Sequence, residues 1–285
     1  MAQGTKSIPT PVRIGICAPS TPFSRESAES VIALAANSYP RAELIFAEQC
    51  FFEAGHFAGT DQQRIDSFVA LANDPAIDAI WFARGGYGAA RMAETAIRQL
   101  GDCAKHKTYL GYSDAGNLLG ALYRAGIGKV AHGPMPSDIG RTGGDQTVRR
   151  ALDWLVHGDP DALEPSLADE QQYAAFNVMT LAMMTGTTLM PDLKDHILML
   201  EEISEYLYAF DRAMFHLGSN LADQGLTGIK LGRVSDIPDN DRPFGQSPEA
   251  VTEHWCQQNG IPFLGQCDIG HDVRNRIVPF GLRPE

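Results

Sequence analysis

The segment 108–114 of this 285-residue chain, T-Y-L-G-Y-S-D, places a serine after a short apolar strand. Residues 116–122 have a helical pattern, so the serine would lie beside the free N–H groups and positive dipole end of a helix. Acyl transfer needs an accessible nucleophile with N–H donors beside the developing oxyanion. The pattern G-x-S-x-A also differs at one position from the G-x-S-x-G nucleophile elbow. Ser113 is therefore a candidate nucleophile; alternatively, Ser113 or Asp114 only caps the helix.

A glycine-rich turn, R-G-G-Y-G at 84–88, also follows a strand and opens a helix. Consecutive glycines let backbone N–H groups such as that of Gly86 approach a reacting carbonyl, as an oxyanion hole requires. The alternative is a tight turn that needs positive φ angles, and both can hold together. A dinucleotide fingerprint is disfavoured because Arg91 stands where the third glycine or alanine belongs. The turn also lacks the Gly-Lys-Ser/Thr ending of a Walker A loop.

Two acids, Glu201 and Glu202, end the apolar strand-like run at 196–200. Because side chains alternate across a strand, at most one of the two faces a given site. The alternative is that both acids are solvated residues at the end of a strand and have no catalytic role. The pattern therefore indicates a possible triad acid without choosing between the two carboxylates.

His271 and His132 are the two candidate bases among eight histidines. His271 lies in the glycine-flanked turn D-I-G-H-D-V-R-N at 268–275, and His132 begins H-G-P-M directly after a strand. A triad base needs such a loop position, with an acid elsewhere to fix its tautomer and support the imidazolium. The residues by themselves do not choose between the two histidines.

The elements that position these residues alternate between strands and helices through the first half of the chain. Near-continuous apolar strands linked by helices indicate a parallel sheet covered on both faces. In such sheets ligands bind at the carboxyl ends of the strands. The strands are predicted at 12–18, 42–47, 79–83, 108–110 and 130–132, and the helices at 26–37, 61–73, 88–100, 116–125 and 145–156, with Asp61 as a plausible cap.

The pattern changes after His157, where a polar stretch with Gly and Pro is typical of a linker. Beyond it follow an apolar stretch at 177–184, a strand at 196–200, a helix at about 206–218 and further strand-like segments. We therefore expect an α/β protein with an N-terminal Rossmann-like domain and a smaller, β-rich α+β domain. The predicted division is an N-terminal domain at 1–160, a linker at 161–172 and a C-terminal domain at 173–285.

Composition restricts the partners and the location. The net charge of −12 argues against nucleic acid or an anionic membrane as the main partner. The five cysteines form no C-x-x-C pair, which predicts reduced thiols and no zinc site. The first residues contain no apolar signal region, and no window approaches the roughly 18–20 apolar residues of a membrane span. We expect a cytoplasmic protein.

Taken together, the motifs resemble those of the LD-carboxypeptidases of peptidase family S66, which include the related microcin C7 self-immunity hydrolases. The similarity runs through nearly the whole chain and keeps its order. The motifs are I-G-I-C-A-P-S at 14–20, A-G-T-D-Q-Q-R at 58–64, R-G-G-Y-G at 84–88, G-Y-S-D at 111–114, H-G-P-M at 132–135, L-M-L-E-E at 198–202, D-R at 211–212 and G-H…R-N…P-F-G at 270–281.

The resemblance implies a Ser113–Glu201–His271 triad with oxyanion donors at the N–H groups near Gly86 and at Asp114. It thereby selects His271 over His132. It further implies a cytoplasmic serine carboxypeptidase, commonly dimeric, that needs no metal or cofactor. Family members release terminal D-alanine from muropeptide tetrapeptides during peptidoglycan recycling, so a small peptide is the expected substrate.

Some departures from the family pattern affect the substrate more than the reaction. The helix after the serine begins with small residues at 115–117, and the family's G-G-N appears here as A-F-N at 175–177. The residues that bind substrate are not identified from the sequence. The alternatives are a microcin C7 immunity-type hydrolase of acyl-sulfamoyl adenylates, a hydrolase of another small amide, and a non-catalytic binding module on the same fold.

Overall fold

A computed structural model describes residues 10–282 and has strands and helices in regular alternation through the first half of the chain. Each observed element overlaps the one predicted there, and the bounds differ by a few residues. In chain order they are β1 (Val12–Cys17), α1 (Arg25–Ser38), β2 (Ala42–Phe46), α2 (Asp61–Asn73), β3 (Ala79–Phe82), α3 (Ala89–Ile97), β4 (Thr108–Gly111), α4 (Gly116–Arg124), β5 (Lys129–His132) and α5 (Gly144–His157).

The second half contains longer strands, and short strands lie close to the C-terminus. The elements are β6 (Gln172–Asn177), α6 (Val178–Met184), β7 (His196–Ile203), α7 (Leu207–Leu221), β8 (Gly228–Ser235), α8 (Pro248–Gln258), β9 (Phe263–Gln266), β10 (Val278–Pro279) and β11 (Gly281–Leu282). None of the helices in residues 10–282 is long and apolar enough to cross a bilayer.

The strands form two sheets, which confirms the predicted α/β fold class. The first has the order β10-β5-β4-β3-β1-β2, with β1 to β5 parallel and β10 antiparallel to β5. Every residue of the central strand β3 is buried, as expected when helices cover both faces. The second sheet has the order β11-β6-β7-β8-β9, and β6 to β9 are also parallel, which the sequence pattern did not predict.

The C-terminal segment joins the two sheets. Val278 pairs with His132 of β5, and Gly281 pairs with Tyr173 of β6. Within about four residues the chain therefore contributes an edge strand to each sheet. The division of the chain at residues 161–172 stays a prediction.

Adjacent strand ends bring the chemical motifs together. Because β3, β4 and β5 are parallel neighbours, the segments after their carboxyl ends meet at one edge of the sheet. These segments contain the glycine turn, Ser113 and the H-G-P-M motif. The order of the strands thus places the candidate nucleophile between the other two motifs.

Helix α2 begins with a capping box formed by Thr60 and Gln63. The Gln63 N–H donates to Thr60 Oγ1 at 3.2 Å, and the Thr60 N–H donates to Gln63 Oε1 at 2.8 Å. The predicted cap, Asp61, is instead the first helical residue, and its carboxylate pairs with Arg64 and Arg91. That prediction was wrong by one residue, because Thr60 has the extended backbone of an N-cap and Asp61 already lies inside the helix.

Replacing Thr60 by alanine should lower the free energy of unfolding by about 1 kcal/mol, because an N–H group of the first turn loses its acceptor. Urea denaturation measures the change. The matched control is Thr95→Ala, which alters an exposed threonine inside α3 and should change stability by less than about 0.5 kcal/mol. Equal losses in the two variants would contradict a specific contribution of the cap.

Candidate active site

Ser113 occupies a strained turn between β4 and α4. Its φ of 57° lies in the left-handed region, which costs a non-glycine residue about 1–2 kcal/mol. Gly85 packs directly against it, and a Cβ built on Gly85 would lie 2.9 Å from Ser113 Oγ. Only glycine fits this approach without displacing the serine. The turn has the features of a nucleophile elbow.

The Asp114 carboxylate connects three of the segments that surround the serine. It accepts hydrogen bonds from Ser20 Oγ at 2.5 Å and from the Ala89 N–H at 2.8 Å. Ser20 follows β1 and Ala89 begins α3, while Asn117 in α4 donates to the other carboxylate oxygen at 3.2 Å. From the sequence, Asp114 is expected to act through its backbone N–H or as a helix cap; in the structure its side chain also holds the surrounding segments together.

Arg64 supports the glycine turn from behind. Its fully buried guanidinium donates through Nη1 to the carbonyl oxygens of Pro19 at 2.5 Å and Gly88 at 2.8 Å. Gly88 has a φ of 142°, and a Cβ there would lie 2.6 Å from Arg64 Nη1. The arginine of the A-G-T-D-Q-Q-R motif thus holds the turn, and Gly88 leaves room for it.

Glu201 and His271 form a buried hydrogen-bonded pair. His271 Nδ1 lies 2.6 Å from Glu201 Oε2, and both side chains are almost inaccessible to solvent. With the glutamate ionised, Nδ1 carries the proton and Nε2 remains the basic nitrogen. Burial by itself lowers the pKa of His271, but the charge and hydrogen bond of Glu201 outweigh it and raise the pKa above the usual 6.5.

Tyr112 packs on the imidazole and orients this region further. The two ring centroids are 4.6 Å apart, and the Tyr112 hydroxyl donates to Asp138 Oδ1 at 2.7 Å. Burial raises the pKa of Tyr112, so the phenol stays protonated near neutral pH. The imidazole is thus held by a carboxylate on one nitrogen and an aromatic ring beside it.

His132, the competing histidine, lies in a different setting. It is buried at the end of β5, and its ring lies edge-on to Tyr112 at 5.5 Å. Burial lowers the pKa of His132 to about 4, so it is neutral at physiological pH. His132 is absent from the described lining of the cleft that contains Ser113, whereas His271 is part of that lining.

Glu202 faces the opposite side of β7 from Glu201, as the alternation of a strand predicts. Its carboxylate accepts hydrogen bonds from Asn177 Nδ2 at 2.5 Å, the Met179 N–H at 2.8 Å and the Ile203 N–H at 2.9 Å. It thereby holds the start of α6. Burial and the nearby Glu201 charge raise the pKa of Glu202 to about 7, although the three hydrogen bonds oppose the shift.

The predicted site residues surround one cleft of about 660 Å³, a size typical of ligand pockets. Ser113, Asp114, Gly86 and His271 line it, and Glu201 lies buried behind His271. Within residues 10–282 the Ser113 hydroxyl makes no hydrogen bond with the protein, so it is free to meet a bound substrate. No group of three or more His, Cys, Asp or Glu in that range is arranged to hold a metal ion.

Several residues of the site have no clear signal in the sequence. Thr21 donates to the Gly85 carbonyl oxygen at 2.8 Å, and Arg141 donates to the His271 carbonyl oxygen at 2.9 Å. Asp138 accepts from Tyr112. These contacts join segments far apart in the chain, so local patterns could not predict them. Arg64 differs from these residues, because it belongs to the A-G-T-D-Q-Q-R motif recognised in the sequence. The sequence did not, however, indicate that Arg64 holds the glycine turn.

Comparison with known protein families identifies two matching models. The model of the LD-carboxypeptidase N-terminal domain matches residues 14–133, and that of the LD-carboxypeptidase C-terminal domain matches residues 174–285. The matched regions contain Ser113 in the first case and Glu201 and His271 in the second.

Individual relatives agree with the family models. The chain is 30% identical over 260 residues to a Synechocystis sp. protein assigned as a carboxypeptidase, covering 85% of this chain and 81% of the relative. It is 26% identical over 247 residues to the murein tetrapeptide carboxypeptidase of Pseudomonas aeruginosa, covering 79% and 78%.

Solved structures share the fold. The muramoyltetrapeptide carboxypeptidase from Oxalobacter formigenes superposes with a TM-score of 0.77 at 22% identity, over 95% of this chain and 93% of that one. The microcin C7 self-immunity protein in complex with aspartyl sulfamoyl adenosine superposes with a TM-score of 0.78 at 18% identity, over 96% and 92%.

The raised pKa of Glu202 should make stability depend on pH. The pKa of Glu202 is about 7 in the folded protein and has the ordinary value of 4.5 in the unfolded chain. Between these two pH values the folded carboxyl keeps its proton, whereas the unfolded chain loses it. The free energy of unfolding therefore falls as the pH rises through this window, by on the order of 3 kcal/mol from this group. Urea denaturation between these pH values should show wild-type stability falling relative to Glu202→Gln. A pH-independent difference would contradict the shifted pKa.

Proposed function

The chain belongs to the LD-carboxypeptidase family, and from that membership we propose that it is a serine-type LD-carboxypeptidase that releases terminal D-alanine from murein tetrapeptides. The observation that carries the proposal is the buried His271–Glu201 hydrogen bond of 2.6 Å behind the cleft that Ser113 lines. A base with a fixed tautomer and a strained, unbonded serine in one cleft are the components of acyl transfer.

In the proposed mechanism Ser113 Oγ attacks the carbonyl carbon of the bond to the terminal residue while His271 Nε2 takes the hydroxyl proton. Glu201 keeps the proton of the neutral imidazole on Nδ1 and stabilises the imidazolium that forms. The raised pKa of His271 is consistent with this second role. The imidazolium then donates its proton to the leaving amine, and water releases the acyl group from Ser113. No step requires a metal or a cofactor.

We propose the N–H groups of Gly86 and Asp114 as the oxyanion donors. The Gly85 carbonyl oxygen accepts a hydrogen bond from Thr21, and in a trans peptide the next N–H points the opposite way. The Gly86 N–H is therefore directed away from Thr21. The Asp114 N–H follows the nucleophile at the start of a helix, which is the usual position of a donor in a nucleophile elbow.

The murein peptide is favoured as substrate because the 26% identical relative from Pseudomonas aeruginosa is named as a murein tetrapeptide carboxypeptidase. The microcin C7 self-immunity protein, at 18% identity, supports a common fold only. The cytoplasmic location, the homodimer and the division into domains stay predictions.

Wild-type protein incubated with L-Ala–D-Glu–meso-diaminopimelate–D-Ala should release D-alanine, and Ser113→Ala should reduce the rate by about 10³-fold or more, because the nucleophile is lost. Chromatography of the products measures both. The matched control is Ser137→Ala, since Ser137 lines the same cleft and should keep the rate within about tenfold.

Two results would contradict the proposal in different ways. Full activity of Ser113→Ala would show that another group is the nucleophile. Cleavage of an aminoacyl-sulfamoyl adenosine but not of the tetrapeptide would favour the immunity-type activity. If neither compound were cleaved, a binding module would replace the enzyme as the preferred function.

Glu201→Gln should lower kcat by about 10³–10⁴-fold, because a neutral amide neither fixes the tautomer of His271 nor stabilises its charge. Glu202→Gln should stay within about tenfold of wild type, because that carboxylate contacts the start of α6 and not the imidazole. Steady-state kinetics with the tetrapeptide compares the two. The assignment would be wrong if Glu202→Gln abolished activity and Glu201→Gln retained it.

A further inference from the structure

Arg141 presents to the cleft a guanidinium whose N–H donors are only partly hydrogen-bonded to the protein. It lines the cleft together with Ser113 and His271, and its side chain is 40% exposed. Its Nη1 donates to the His271 carbonyl oxygen at 2.9 Å, and its Nε donates to Asp138 Oδ1 at 3.1 Å. Of its five N–H donors, the other three have no protein acceptor in the described part of the chain. These three N–H donors are available to a ligand.

Asp138 holds this arginine in place from the protein interior. The Asp138 side chain is 2% exposed and also accepts hydrogen bonds from the Tyr112 hydroxyl and the Met135 N–H. The buried Asp138 carboxylate accepts a hydrogen bond from Nε and thereby fixes the orientation of the Arg141 guanidinium. The N–H groups of Nη2 remain without a protein acceptor in the described part of the chain. The arginine is thus oriented before a ligand arrives, which reduces the entropy cost of binding.

The proposed reaction requires an anion site near His271. The imidazolium protonates the leaving nitrogen, and in an α-amino acid the carboxylate is attached to the carbon next to that nitrogen. Standard bond lengths put the carboxylate within about 4 Å of the nitrogen. A terminal carboxylate must therefore lie next to His271 in any productive complex of a carboxypeptidase.

The cations of the cleft are few. Among its described lining residues, Arg84 and Arg141 are the two arginines, and no lysine is present. Both also line a neighbouring depression with Ser137, so they form one basic end of the cleft in a chain whose net charge is −12. Only Arg141 is hydrogen-bonded to His271; Arg84 is exposed and donates to the Pro22 carbonyl oxygen at 3.2 Å.

We infer that Arg141 binds the C-terminal carboxylate of the substrate. The planar fork of an arginine pairs with a carboxylate through two parallel hydrogen bonds, which gives both affinity and orientation. This inference rests on the proposed function and deepens it, because it explains how the cleft selects a terminal residue. A peptide that continued beyond this residue would lack the carboxylate and leave the guanidinium unpaired.

The test compares the tetrapeptide with its C-terminal amide, in which D-alaninamide is the leaving group. Wild type should have a kcat/KM for the acid about 10- to 100-fold above that for the amide, as expected for a charge-assisted pair. In Arg141→Gln this ratio should fall to near one, mainly through a higher KM for the acid. Arg141→Lys, which keeps the charge, should retain part of the preference. Thermal unfolding checks that each variant is folded.

Arg150 offers a matched control for a purely structural role. Its Nη1 donates to the carbonyl oxygens of Val273 and Asn275, both at 2.8 Å, so it holds the His271 loop as Arg141 does. Arg150 is not among the described lining residues of the cleft. Arg150→Gln should therefore slow cleavage of the acid and the amide alike and leave their ratio unchanged.

Three outcomes would overturn the inference while the proposed function stands. They are equal rates of wild type on acid and amide, an unchanged ratio in Arg141→Gln, and loss of the ratio in Arg84→Gln alone. Failure of wild type to cleave either peptide is a distinct result, since it would overturn the proposed carboxypeptidase activity and the subsite with it.

Discussion

The site depends on one buried interaction, the hydrogen bond between Glu201 and His271. A carboxylate removed from water is stable only when its partner is close and well aligned, so the positions of both residues are tightly constrained. Glu201 ends a strand of the second sheet, and His271 lies in the loop before β10. The pairing of β10 with β5 and of β11 with β6 fixes that loop between the two sheets. A short segment near the C-terminus thus determines where the imidazole lies.

The first sheet has to supply a nucleophile in a strained conformation. Ser113 keeps its positive φ because the surrounding contacts compensate for it: the Asp114 carboxylate binds Ser20 and Ala89, and Gly85 packs against the serine. Ser20 follows β1, whereas Gly85 and Ala89 lie between the end of β3 and the start of α3. The parallel order β4-β3-β1 brings them together, so the reactivity of the turn is a property of the sheet and not of the motif alone.

Glu201 and Glu202 show how neighbouring residues acquire separate roles. They have the same side-chain chemistry, but the alternation of β7 directs Glu201 to His271 and Glu202 to the start of α6. Burial near a second carboxylate raises the pKa of Glu202, whereas Glu201 is placed to support an imidazolium. Local environment, and not residue type, separates the carboxylate that pairs with the imidazole from the one that contacts the start of α6.

The sequence by itself determined the alternation of strands and helices, the parallel first sheet and the segments that carry chemistry, because apolar periodicity and glycine turns are local properties. It also indicated Ser113, and the family resemblance supplied Glu201 and His271. The hydrogen bonds that Arg64, Asp114 and Arg141 make around the site join segments far apart in the chain. Only the tertiary structure decided these, since a side chain's partner depends on which strand ends meet in space.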